Sequence, residues 1–443
     1  MVTAFALLGC PAAVAVAAVA SSDNQVDFGN NPAPMNAGAR AMGMSAFVAI
    51  ADDATAMAAN PGGMIQLERA EASAAGGLYA TSIKPAQGGR QNETRLDLDH
   101  VSAAVPFFAF DHQQTVGVIW QRQFDFTRSS AFNRHTLDTN FPTTDTTTDS
   151  SVTQTGAFST LSLSYAIEVI PGLGLGITGS VWNDRITQHS STTRYEHRHD
   201  DILVPDFNDE TISDFDTATH IRVDEGYSAV MGAWWQATPG LALATVVKPG
   251  YKLHVSNQLD LQQSSPSAQP PFVQLTEHSF STLRMPTVAT IAAAWRQDDE
   301  DTVAAEVSWT QWSRFSLTRE GRESAPQFFD HPASDQKDGI SARVGYEHLF
   351  ILPRVVAVAR VGAFYEEQPG LHKVATLGDT AAMTVDRFYG LSAGGSLCYR
   401  HITYDLGGQL RYGHQVGSGQ LVLQDDVANI YQLTVRLGAT YQF

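Results

Sequence analysis

Four groups of residues in this sequence carry side chains with the chemistry of a site. Gly390-Leu391-Ser392-Ala393-Gly394 fits the GxSxG pattern of serine hydrolases. A nucleophile elbow needs a sharp strand-to-helix turn, and this stretch lies within a strand pattern, so it reads as a chance match of a short motif. His197 and His199, flanked by Glu196, Asp200 and Asp201, place two imidazoles on one side of an extended chain, as a divalent metal would need. Their polar surroundings read instead as a solvated loop, and no metal is assigned. The acidic run Asp298-Asp299-Glu300-Asp301 lacks the spacing of a calcium loop and is expected at a short turn. The fourth group is dispersed: Trp182, Trp234, Trp312 and Phe364, with Lys248, Arg343, Arg360, Arg411 and Arg436. Rings can shield the apolar part of an amphipathic molecule while a cation holds its carboxylate. Such residues act together only if the fold turns them toward one space.

The elements that could do so are strands. At the C-terminus Tyr431, Leu433, Val435, Leu437, Ala439, Tyr441 and Phe443 alternate with Gln432, Thr434, Arg436, Gly438, Thr440 and Gln442. The pattern returns at Ile402 to Tyr412 and at Val303 to Trp309. Further candidate strands cover 71–83, 96–109, 113–125, 155–167, 174–187, 224–237, 241–253, 286–297, 338–350, 353–366 and 386–397, about fourteen in all. Short turns such as Ile170-Pro171-Gly172, Thr238-Pro239-Gly240 and Leu352-Pro353 alternate with long loops over 126–154, 188–223, 254–285 and 316–337. That rhythm and an even strand count predict a transmembrane antiparallel β-barrel whose apolar face meets lipid, with short periplasmic turns and long extracellular loops. Period two turns the fourth group of residues into the lumen. Each lumen cation has an alternative role, pairing with Glu306, Glu347 or Asp405 to hold the wall together.

Composition narrows the class. A net charge of -18 with 28 Lys and Arg excludes a nucleic-acid partner, which would require a basic stripe. Beyond the first twenty residues no apolar run is long enough for a spanning helix. Residues 1–20 read as a secretory leader ending at Ala18-Val19-Ala20, although a basic start is missing. Cys398 would then be the only mature cysteine, a small apolar group on a strand. Residues 21–69 do not alternate. Their Ala- and Gly-rich text suggests short helical turns packed as a plug inside a barrel formed by 70–443. No cofactor is expected.

Several stretches resemble one family, in order along nearly the whole chain. Gly43-Met44-Ser45-Ala46-Phe47-Val48-Ala49-Ile50-Ala51-Asp52-Asp53-Ala54, leading to Asn60-Pro61-Gly62-Gly63-Met64, is similar to the hatch segment of the FadL family of outer-membrane channels for long-chain fatty acids and aromatic hydrocarbons. Gly62 stands where that family has alanine. Leu283-Arg284-Met285-Pro286, the strand end Trp309-Thr310-Gln311-Trp312-Ser313-Arg314-Phe315 and Asp386-Arg387-Phe388-Tyr389-Gly390 continue the likeness. The resemblance implies a bacterial outer-membrane protein that is not an enzyme. It implies passive uptake of a hydrophobic small molecule caught among extracellular loops and released past the hatch, sideways through the barrel wall beside a kinked early strand. On that reading Asn60, Pro61 and Gly62 gate, and Gly117, the one irregularity visible in strand 113–125, marks the kink. Outer-membrane lipid and lipopolysaccharide would surround the barrel. A chain ending at Phe443 resembles the C-terminal strand that the barrel-assembly machinery recognises. The alternative is a structural or surface-interaction barrel without transport, whose acidic loops meet other proteins or lipopolysaccharide.

Overall fold

A strand whose two faces meet lipid and lumen must alternate apolar with polar or small residues, because its side chains point alternately to each face. The computed structural model describes residue 28 and residues 37–85, 90–139, 142–207, 209–266, 272–298, 300–326, 332–373, 381–416 and 428–443. The first strands are β1 (Glu71–Pro85), β2 (Gln91–Ala109), β3 (His112–Asp125), β4 (Arg128–Asp138), β5 (Thr144–Ile170), β6 (Leu173–Trp182) and β7 (Ser191–Val204). Next come β8 (Asp209–Thr238), β9 (Leu241–Lys248), β10 (Lys252–Ser264), β11 (Phe272–Arg284), β12 (Val288–Arg296) and β13 (Asp301–Thr310). The last are β14 (Ser316–Arg319), β15 (Arg322–Ser324), β16 (Gly339–Ile351), β17 (Val356–Lys373), β18 (Ala381–Tyr399), β19 (Ile402–Val416) and β20 (Ala428–Gln442).

Fourteen of these close a ring of antiparallel pairs in the order β1, β2, β3, β5, β6, β8, β9, β12, β13, β16, β17, β18, β19, β20 and back to β1. Each corresponds to one of the fourteen strands expected from alternation. Leu163, Ile291, Leu391 and Leu437 stand on the outer face with about two thirds of their surface exposed, the apolar band that lipid covers. Tyr365, Tyr389, Tyr412 and Tyr431 are successive cross-strand partners, an aromatic row of the kind that sits at a membrane interface. No helix among the described residues is long and apolar enough to cross a membrane. The connections β2–β3, β5–β6, β8–β9, β12–β13, β16–β17 and β18–β19 are all short. Phe110 and Asp111, at the first of them, both have positive φ (55° and 62°), as a two-residue hairpin turn of this hand requires.

Among their described residues, the four segments expected as long loops carry strands. They hold β4, β7, β10, β11, β14, β15 and the first halves of β5 and β8, paired as one sheet in the order β4, β5, β7, β8, β10, β11, β14, β15. Hydropathy hides them because their outer face meets water: Asp149, His199 and Asp214 stand abreast on three of these strands. His197 and His199 therefore lie on a strand, bonded to Asp216 (2.7 Å) and Asp214 (2.6 Å). The Asp214 bond holds the His199 imidazole above its ordinary pKa. Two of the expected strands also end early. The segment 241–253 breaks after Lys248 and restarts at Lys252, and 174–187 ends at Trp182 before a helical turn.

Strands β5 and β8, of 27 and 30 residues, belong to both the surface sheet and the wall. The change of partners falls at Gly156 in β5 and Gly226 in β8. Gly156 has φ +119°, where a side chain would be strained, and a Cβ there would lie 2.7 Å from Thr192 Cα.

The wall predicts a sharp asymmetry between neighbours on β19 and β20. Leu437→Arg, on the lipid face, should cost about 2–4 kcal/mol in reversible urea unfolding from vesicles, whereas Gln409→Arg, facing the lumen, should cost less than about 1 kcal/mol.

Candidate functional site

Residues 37–67 are almost entirely buried inside the ring. They form helical turns α1 (Ala39–Met44) and α2 (Ala56–Ala59), then a 3₁₀ turn over Pro61–Gln66. The helical turns expected of the N-terminal segment are present, while residues 1–20, read as a leader, lie outside the described residues. Small residues let the backbones meet: the wall glycines Gly345 and Gly362 face Met44, Gly407 faces Ala39, and Gly394 faces Gly43. Gly62 is explained in the same way, since a Cβ would lie 2.8–2.9 Å from the backbone of Gly174, Gly232 and Ala233. Gly117 lies in unbroken register with both neighbours. It is a site of contact with the N-terminal segment, where a Cβ would lie 2.5 Å from Met57 Sδ. The irregularity of β3 falls later, between Arg122 and Phe124.

Polar groups pin this segment to the wall. Glu306 accepts hydrogen bonds from the amides of Phe47 and Val48 (3.0 and 3.1 Å), and Glu71 from that of Ala54 (3.0 Å). Asn60 donates to the carbonyls of Val48 (3.1 Å) and Ala233 (3.2 Å) and accepts from Gly62 N–H (3.1 Å). Trp234 donates from Nε1 to Ala49 O (2.9 Å), which places it against the N-terminal segment and outside the cavity lining described below. Ser392, from the GxSxG match, lies inside β18 and donates to Gly43 O (2.9 Å).

A cavity lies on the other side of this floor. Phe47, Val48, Met57, Ala58 and Ala59 form its base, and Trp182, Lys248, Tyr251, Trp312 and Arg343 are among its walls. Trp182 stacks between Tyr251 (5.4 Å between centroids) and Phe124 (5.9 Å) and donates to Ser228 Oγ (2.8 Å). Phe28 packs edge-on against Phe124 and Phe315 in the same aromatic cluster, 5.2 and 5.4 Å away. Hydroxyls bonded to one another, Ser162 to Ser180 and Thr290 to Ser308, line the remaining wall.

The expected lumen cations divide sharply. Arg343 lines the cavity but pairs with Glu366 (2.7 Å) and Glu306 (3.6 Å), and it lies over Phe364, which is not part of the lining. Arg360 is held by Glu347 (2.6 Å), Ser396 and Asp405 (3.6 Å), away from the cavity. Arg411 pairs with Glu366 (3.1 Å) and Arg436 with Asp99 (2.9 Å). Among the described residues Lys248 has no hydrogen-bond or ion-pair partner, and Glu306 acts on it only through space. Sequence reasoning names neither Tyr251 nor Phe124, and names Phe315 only within the family-like strand end. Period two along β3 would set Phe124 outward with Val116 and Val118, and the register shift between Arg122 and Phe124 turns it inward, while Tyr251 and Phe315 sit where strands break and alternation fails.

Residues 14–348 match the family model described as outer membrane protein transport protein (OMPP1/FadL/TodX), three quarters of the chain. The chain belongs to this family. It is a bacterial outer-membrane β-barrel of a transport family, not of an enzyme family. Among solved structures, a Pseudomonas aeruginosa FadL homologue is similar at 14% identity and a TM-score of 0.59, covering 94% of this chain and 100% of that one. The Pseudomonas putida toluene transporter TodX (12%, TM-score 0.53) covers 91% and 97%. The Ralstonia pickettii toluene transporter TbuX (13%, 0.52) covers 92% and 98%. At these identities the likeness carries the fold alone. No curated protein matches the chain.

In this family member Asn60 ties the N-terminal segment together and to the wall through three hydrogen bonds. Asn60→Ala would leave the carbonyls of Val48 and Ala233 and the N–H of Gly62 without their bonds, each worth about 1–3 kcal/mol when buried and unmade. Hydrogen–deuterium exchange should therefore speed up about tenfold or more at Gly62 and its neighbours, with the wall strands unchanged.

Proposed function

We propose that this chain is a channel for passive uptake of hydrophobic molecules with an acidic head, long-chain fatty acids being the class that fits. Lys248 carries this reading. It is a cation without a partner among the described residues, set in a cavity whose other cation, Arg343, is already paired. A carboxylate entering from water would satisfy it, while Trp182, Tyr251 and Trp312 shield the apolar tail. Trp234, Phe364 and Arg360 hold the hatch and wall instead of touching ligand. Asn60, Pro61 and Gly62 keep the floor closed, and exit is sideways, between β2 and β3, where strand pairing stops at His100 and Gln121. Lipid and lipopolysaccharide surround the wall, and β20 is the strand through which assembly machinery would engage it.

A second reading, uptake of neutral aromatic hydrocarbons, is favoured by the stacked rings of Trp182 and Tyr251. Uptake of labelled oleate and toluene by cells lacking other hydrophobic channels separates the two. Lys248→Met should lower oleate uptake about tenfold, in line with the roughly 1.5–3 kcal/mol of a charged hydrogen bond, and leave toluene uptake unchanged. An intact barrel that takes up neither compound would return the chain to a structural or surface-interaction role.

A further inference from the structure

Among the described residues, backbone pairing closes the wall everywhere except along one seam. β2 and β3 pair only from His100 and Gln121 down to Ala109 and His112. From Gln91 to Leu98, β2 pairs with β1 alone. β3 turns away toward β5, with its register shifted between Arg122 and Phe124. Leu96 and Leu98, 78% and 51% exposed on the outer face, place this stretch against lipid. Backbone groups facing such a seam lack strand partners where hydrocarbon offers none.

Side chains bridge it. Gln91 donates to Ala131 O (2.9 Å) and Arg95 to Thr127 O (3.1 Å). At the centre are four charges. Arg95 bonds Asp97 on its own strand (2.8 Å) and Asp125 across the seam. Arg122 bonds Asp125 on its own strand (3.1 Å) and Asp97 across the seam (2.5 Å). Each arginine thus holds one aspartate beside it and one opposite.

We propose that these four residues are the latch of the lateral exit, a device that rests on the sideways release proposed above. When the seam parts, Arg95 keeps Asp97 and Arg122 keeps Asp125. Two cross-seam pairs break, yet no charge is stranded, and a stranded buried charge is the costly outcome. Within these four residues each lip stays neutral and polar, so the latch can reopen and close around an amphipathic ligand.

The arrangement of charges makes a decisive variant available. In Asp97→Arg/Arg122→Asp all four charges remain and every cross-seam pair is attractive, but one lip carries two cations and the other two anions. Opening must then separate opposite charges. Uptake of labelled oleate should fall at least tenfold, while oleate binding to the purified, heat-modifiable barrel stays unchanged. Replacing all four by uncharged amide side chains (Arg95→Gln, Asp97→Asn, Arg122→Gln, Asp125→Asn) should leave uptake as fast as the parent or faster. Wild-type uptake by a folded charge-swapped protein would overturn the latch. A Gln91→Cys/Ala131→Cys pair in a Cys398→Ser background, joined by a bifunctional thiol reagent, tests the route itself. If the joined seam still passes oleate, sideways release fails and the latch with it. If joining blocks uptake and the charge swap does not, the exit is lateral and the latch alone is wrong.

Discussion

A lipid bilayer gives a peptide group nothing to bond to, and the rest of this structure follows from that. Fourteen strands close on themselves because an open edge in hydrocarbon would leave a row of N–H and C=O groups unmet. Closure in turn forces every wall strand to divide its side chains between lipid and lumen, which is why β20 carries Leu433, Leu437 and Tyr441 outward and Arg436 inward. The interior is then polar and wide, and it must be filled or left open. Residues 37–67 fill it, with amides and carbonyls of their own bonded by Glu306, Glu71, Asn60, Trp234 and Ser392.

How much of this is legible in sequence depends on what each face touches. Lipid imposes a strict chemical contrast, so all fourteen wall strands can be read from alternation. The surface sheet has water on its outer side, and Asp, His and Thr there blur the period, so β4, β7, β10 and β11 read as loops. Inward direction was legible; partnership was not. Arg343, Arg360 and Lys248 look alike in the text, and only the fold brings Glu366 to the first and Glu347 to the second while leaving the third in the cavity. Gly117 shows the same limit. A glycine in a strand signals that something comes close, and only the fold shows that Met57 is the thing approaching, not a kink.

The seam between β2 and β3 was invisible for a related reason. Gln91 to Arg95 are all polar and alternation starts only at Leu96, so local pattern begins the strand at 96 and is silent on its neighbours. Whether a strand has one neighbour or two is a property of the chain that comes beside it, here the shift at Arg122 to Phe124. The hatch and the seam solve opposite problems with the same materials. In the lumen, carboxylates hold backbone amides in place; at the seam, carboxylates and guanidinium groups stand in for backbone pairing that is absent.

The two long strands have a mechanical meaning. β5 and β8 pass from the surface sheet into the wall at Gly156 and Gly226, so the sheet is joined to the barrel along a crease marked by glycine in both strands. A sideways load on the outer half is handed to the hydrogen-bonded hoop at that crease, where Gly226 sits against Leu253 and Trp182 and a buried aromatic cluster braces the join.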